Sequence, residues 1–184
     1  MRLRLALQAA LQPDALIENL SEVIGYYANF LFPPDTWYWV EEPRQIYDND
    51  LARQLLAEAG NPDGIDVVYT HINRRVDAQM AQIVQAMLAQ VGIRIEIQAL
   101  ERTSWLDFRL VGASENTEGQ MAGFQHGVSP GDPDGKAMFF QPGGIVNFAN
   151  YNNEIARGRI ENSRATLNQA ERAKAWGGPG RDSA

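Results

Sequence analysis

Between Asp77 and Leu100 the spacing of apolar residues changes from 3.6 to 2, and this switch constrains the fold more than any other feature of the chain. Met80, Ile83, Val84, Met87, Leu88 and Val91 recur three and four residues apart, which places them on one face of a helix. Gln79, Gln82, Gln85 and Gln90 fill the other face. Gly92 lacks the Cβ that disfavours a left-handed cap, so it ends the helix. Ile93, Ile95 and Ile97 then alternate with Arg94, Glu96 and Gln98, the pattern of a half-buried strand. Upstream, Ile65 to Tyr69 is rich in β-branched residues and reads as a second strand. The spacing therefore predicts a βαβ unit: strand 65–71, helix 77–91 and strand 93–99. Short connections make its strands parallel.

Around this unit the remaining elements fall into place. Leu3, Leu7, Ala10 and Leu11 form one helical stripe, and Pro13 opens a second helix to about Ile24. Residues 25–47 lose periodicity and hold Trp37 and Trp39; long ordered loops are usually functional, and these aromatics either line a ligand cleft or pin the loop to the core. Asp48 to Asp50 offers N-caps for a helix that ends at Gly60. Thr103 or Ser104 is read as capping a short helix through Leu110, followed by a loop at 112–119. Gln120 to His126 is a third strand. Met138 to Phe140 begin a core segment, Asn152 caps a helix starting near Asn153, and Asn168 with Glu171 has the spacing of a capping box. The predicted class is α/β, and residues 177–184 read as a disordered tail.

Several function classes are excluded or disfavoured. A net charge of −7 leaves no clustered basic face for nucleic acid. With no cysteine there is neither disulfide nor thiolate metal site, and His71 and His126 alone do not make a zinc set, so no metal or cofactor is expected. No apolar run approaches the roughly 18 residues of a membrane span. The residues after Met1 lack the pattern of a signal peptide. Nucleophile-elbow, phosphate-loop, zinc-protease and EF-hand patterns are all missing, so little in the sequence points to an enzyme.

In an open α/β sheet, ligands bind beyond the carboxyl ends of the strands, which singles out the loop 127–135 after the third strand. His126 at that strand end is either a hydrogen-bonding ligand contact or a structural histidine. Asp132 and Asp134 flank Pro133 and suit turn formation and capping of the next helix.

Several segments, in order, resemble the extracytoplasmic solute-binding proteins of ABC importers, in the family of the dipeptide-, oligopeptide- and nickel-binding proteins. They are Arg4–Leu7 through Asp14–Ile17, Tyr47-Asp48 through Ala52, Leu55–Gly60 with Pro62-Asp63-Gly64, and Leu88 with Val91-Gly92-Ile93 and Glu96. Asp132-Pro133-Asp134, Tyr151–Glu154 and Ala170–Ala173 complete the set. The resemblance implies one lobe of a bilobal, type II periplasmic-binding-protein-like fold across residues 1–176, with the first lobe absent. It implies hinge closure on a small-molecule or peptide solute and delivery to ABC permease subunits, in a periplasmic or extracytoplasmic, membrane-associated setting. The chain then looks like a fragment. In peptide-binding members a Gly-Trp pair follows the third strand, and then an Asp that pairs with the peptide amine. Aligned on Asp132-Pro133-Asp134, Gln125-His126 stand for Gly-Trp and Ser129 or a neighbour stands for that Asp. The ligand-binding candidates are accordingly Gln125, His126, Ser129, Asp132, Trp37 and Trp39. A competing reading is a protein-interaction module built on exposed apolar surface; a hydrolase using Asp132 or His126 is a distant third.

Overall fold

The structure, a computed structural model, describes residues 2–20, 36–39, 46–115, 120–122, 132–144, 146–147 and 151–176. The chain divides into two compact units: Met1–Tyr27, Gln45–Arg109 and Thr117–Gln125 form the first, and Ala28–Arg44, Leu110–Asn116 and His126–Ala184 the second.

The first unit is built on the predicted βαβ element. Strand β1 (Ile65–Ile72) and strand β2 (Ile93–Leu100) pair in parallel, with Ile65 opposite Ile93 and Ile72 opposite Leu100. Between them runs a helix, Arg75–Ala89. Both strands extend one residue past the expected end, and the helix starts and stops two residues early. Gly92 takes φ +87, the left-handed conformation expected of it. The third strand, β3 (Gln120–Ala122), pairs in parallel with β1, setting Tyr69 opposite Met121. Of the expected strand to His126, residues 123–126 lie outside the described residues. The strand order is β2-β1-β3. The outer strand β2 alternates in burial, whereas central β1 buries four residues, Val67, Tyr69, Thr70 and His71.

On the helix, Val84, Met87 and Leu88 are buried as the period requires, and Ala81 joins them with no exposed surface. Gln85, on the face assigned to solvent, reaches back and donates to the Ile95 carbonyl at 2.7 Å. Helix α1 (Arg2–Ala9) and helix α3 (Asn49–Glu58) meet through Ala6, Ala9 and Ala52, whose small side chains let the helices approach closely. Asp48 caps α3 by accepting from the Asp50 and Leu51 amides, both at 2.9 Å. Helix α2 is Pro13–Asn19, five residues shorter than expected; Leu20 leaves helical dihedrals (φ −85, ψ 86) as its side chain turns into buried surroundings, and Val23 and Ile24 lie outside the described residues. With the Arg75–Ala89 helix as α4, helix α5 is Arg102–Glu115. It absorbs Thr103, Ser104 and part of the expected loop. The Glu101 carbonyl accepts from the Trp105 amide at 2.8 Å, so the first turn forms upstream of both expected caps.

The second unit has its own core of Tyr38, Ala137, Ile160 and Trp176, with Trp37, Phe140 and Ala173 packed against it. A 3-10 helix (Pro133–Phe139) starts at the aspartate turn, so Met138–Phe140 end an element instead of beginning one. Helix α6 (Glu154–Arg164) is capped by Asn153, one residue later than expected. Helix α7 (Gln169–Trp176) is capped by Asn168, which accepts from the Ala170 and Glu171 amides. The reciprocal half of the capping box does not form, because the Glu171 carboxylate accepts from the Thr166 hydroxyl at 2.6 Å. The buried Trp176 indole N–H donates to Ser163 Oγ at 2.9 Å, fastening α7 to α6.

Candidate functional site

Sequence order β1, β2, β3 against spatial order β2-β1-β3 means the chain leaves β1 on one side and returns on the other. In open α/β sheets ligands bind at such a reversal, beyond the carboxyl ends of the strands; those ends are Ile72 in β1 and Ala122 in β3. At the β1 end, His71 is 1% exposed and its Nδ1 lies 2.8 Å from the Ile72 carbonyl oxygen. A carbonyl only accepts, so Nδ1 carries a proton and donates it to this contact. Asn73 donates to Glu101 at 3.0 Å. Arg74 grips the buried Asp77 carboxylate through Nε at 2.6 Å and an outer nitrogen at 3.1 Å, in the first turn of α4 where negative charge is favoured. Burial, with Asp77 nearby, pushes the Tyr69 phenol above its usual range. Gln125, His126 and Ser129 follow β3 in sequence and lie outside the described residues.

In the second unit, the Asp132-Pro133-Asp134 turn is held three ways. Asp132 Oδ1 accepts from the Asp134 amide at 2.9 Å, capping the 3-10 helix, and Pro133 is fully buried beneath. Arg172 of α7 donates to both Asp132 oxygens, at 2.7 and 2.8 Å. Arg164 of α6 donates to both Asp134 oxygens, at 2.6 and 3.1 Å. Two-toothed arginine–carboxylate pairs fix orientation as well as distance. The hydrogen bond from Arg172 holds the Asp132 carboxyl below the usual carboxylate range, and the same contact raises the arginine. The Arg172 guanidinium also lies over the Trp37 ring, 5.7 Å from its centroid. Burial pulls the Lys136 ammonium down from its ordinary range; its Nζ stands 5.5 Å from the Phe139 ring centroid. Among the described residues no three His, Asp or Glu side chains gather as a metal set.

Of the sequence candidates, Trp37 and Asp132 are thus brought together through one guanidinium. Trp39 is half-buried, with its amide bonded to the Thr36 carbonyl at 3.0 Å. The aspartates do cap the helix that follows, as their type suggests. Sequence reasoning missed Tyr38, which is fully buried among the described residues of that loop, and both arginines. Arg172 was visible only as part of a helix start, and nothing local marks a partner 40 residues away.

The family model for bacterial extracellular solute-binding proteins, family 5 (middle region), matches residues 1–148. The chain belongs to this family. Family 5 members are solute-binding proteins rather than enzymes. Heme-binding protein A of Haemophilus influenzae is 28% identical over 96% of this chain and 33% of its own length. The dipeptide-binding protein of Escherichia coli is 31% identical over 58% of this chain and 21% of its own. The crystal structure of an ABC transporter substrate-binding protein from Listeria monocytogenes superimposes with a TM-score of 0.84 at 18% identity, covering 95% of this chain and 36% of that one. This likeness establishes the fold expected from the resemblance. The chain spans about a third of the length of the first of these relatives.

Proposed function

We propose that the chain contributes a solute-binding surface to an extracytoplasmic receptor of an ABC importer, one that binds without catalysing. The observation that carries this reading is the family match across 148 residues, on a parallel sheet whose strand order reverses at β1. The solute is a peptide or related small compound, in line with the names of the relatives. Permease subunits at the membrane are its downstream partners. Among the described residues no helix is long and apolar enough to cross a membrane.

The candidate contacts are Gln125, His126 and Ser129, with Trp37 and Trp39 as aromatic walls. Asp132 supports the site differently. A buried solute ammonium needs a carboxylate partner, and both Asp132 oxygens are already held by Arg172. That favours Asp132 as a support for the loop over a direct counter-ion. It also favours a solute whose binding at this loop does not hinge on a free amine.

The test is calorimetric titration with alanyl-alanine, its N-acetylated form and hemin. Because the chain spans about a third of the length of the heme-binding relative, binding by this chain alone is expected to be saturable but weak, roughly micromolar or above. The acetylated peptide should bind about as well as the free one. Nanomolar binding, or no response to any of the three, contradicts the proposal.

A further inference from the structure

We propose that Arg172 is a positioning residue that joins the Trp37 loop and the Asp132 turn into one rigid element, so that two candidate solute-contacting segments move together. Its functional meaning rests on the receptor reading above; the coupling itself does not.

Three segments distant in sequence meet on this one guanidinium. Its terminal nitrogens hold both Asp132 oxygens, and its central carbon lies over the Trp37 ring at 5.7 Å from the centroid. The arginine side chain is only 16% exposed, against 49% for the aspartate, so the cation is the enclosed partner. Its Nε is buried and makes no hydrogen bond. Orientation is therefore set by the carboxylate on one side and the ring on the other, with no third bond to hold the plane if either is lost. Trp37 in turn sets its ring edge-on to Tyr38, at 5.0 Å and 82°. Tyr38 has no exposed surface, so a shift at Trp37 is felt in the core. Lysine cannot substitute, because a single ammonium does not grip both oxygens in a fixed fork. The other charged groups near the turn are Asp134, Arg164 and Glu161, with Lys136 on the 3-10 helix. The Arg164–Asp134 pair binds the far side of Pro133 through a different helix and makes an internal control.

The chain has four tryptophans, so fluorine NMR of 5-fluorotryptophan-labelled protein gives one signal for each, assigned by Trp37→Phe. Asp132→Asn keeps the oxygen that caps the 3-10 helix but removes the charge. Asp132→Asn and Arg172→Lys are expected to shift the Trp37 signal and leave Trp105 and Trp176 in place. Asp134→Asn is expected to leave Trp37 in place. An unmoved Trp37 signal in Asp132→Asn, or an equal shift in Asp134→Asn, overturns the proposal. If Asp132→Asn fails to fold, acid titration of the unaltered chain decides: Trp37 must shift before Trp176, and simultaneous movement refutes the coupling. In a separate arm, alanyl-alanine is added to both proteins. Weakening by several-fold in Asp132→Asn supports the positioning role, and equal affinity opposes it. Silence in the unaltered chain counts against the receptor reading alone, since the solute-free spectra still decide the coupling.

Discussion

Replacing Gly64 with alanine should damage the sheet far more than the same change at Gly60, although both glycines have positive φ, +88 and +89. Gly64 ends the turn that feeds β1, with its amide bonded to the Asn61 carbonyl at 3.1 Å. A Cβ there would fall well inside contact distance of the Gly92 carbonyl oxygen, 2.9 Å from its carbon and 3.2 Å from the Arg94 guanidinium. The same carbonyl accepts from the Ile65 amide at 3.1 Å, the first rung between β1 and β2. The alanine must therefore push back the start of β2 and break that rung. Left-handed backbone costs a non-glycine residue about 1–2 kcal/mol. An orphaned, half-buried amide and carbonyl add about 1–3 kcal/mol. At Gly60 nothing lies within 4 Å of the added carbon, so only the backbone cost applies. Stiffening of the unfolded chain, about 0.4–1 kcal/mol, favours both variants and cancels between them. The expected gap is about 1–3 kcal/mol, roughly 2–12 °C in midpoint at about 2–4 °C per kcal/mol. Urea and thermal unfolding followed by far-UV circular dichroism measure it. Equal destabilisation at the two positions would falsify the argument, because it would mean the glycine pair is not in the contact described.

Three further outcomes follow from polar groups held by specific partners. Asp77→Asn should cost about 2 kcal/mol by urea denaturation, since the aspartate side chain is 4% exposed and loses its charge-assisted pairing with the half-exposed Arg74; a cost under about 0.5 kcal/mol would point to a solvent-screened pair. Ser163→Ala should cost about 1–2 kcal/mol, because it takes the acceptor from the buried Trp176 indole N–H, and the loss should show as a perturbed Trp176 environment in near-UV spectra. The Asp132 carboxyl is held below its ordinary pKa of about 3.9, so its stabilising contribution is fully present above about pH 4 and is lost as pH falls through the lowered folded-state value. The acid limb of the stability curve should therefore be shallower in Asp132→Asn than in the unaltered chain; identical limbs would remove Asp132 from the account.

The amino-acid sequence by itself determined the βαβ unit, the left-handed Gly92 and the caps at Asp48 and Asn168. These signals work within a turn or two of the chain, where apolar spacing and a side-chain oxygen act on neighbouring amides. It placed the α5 start and the α6 cap only approximately, since neighbouring residues compete to end a helix and packing chooses among them. Only the tertiary structure decided that β3 lies beside β1, that Gly64 must be glycine because Gly92 presses on it, and that Tyr38 fills the second core with Trp37 packed against it. The same holds for the candidate site. Arg172 and Arg164 find Asp132 and Asp134 across 40 and 30 residues, and the strength of an ion pair depends on distance and burial that no local pattern encodes.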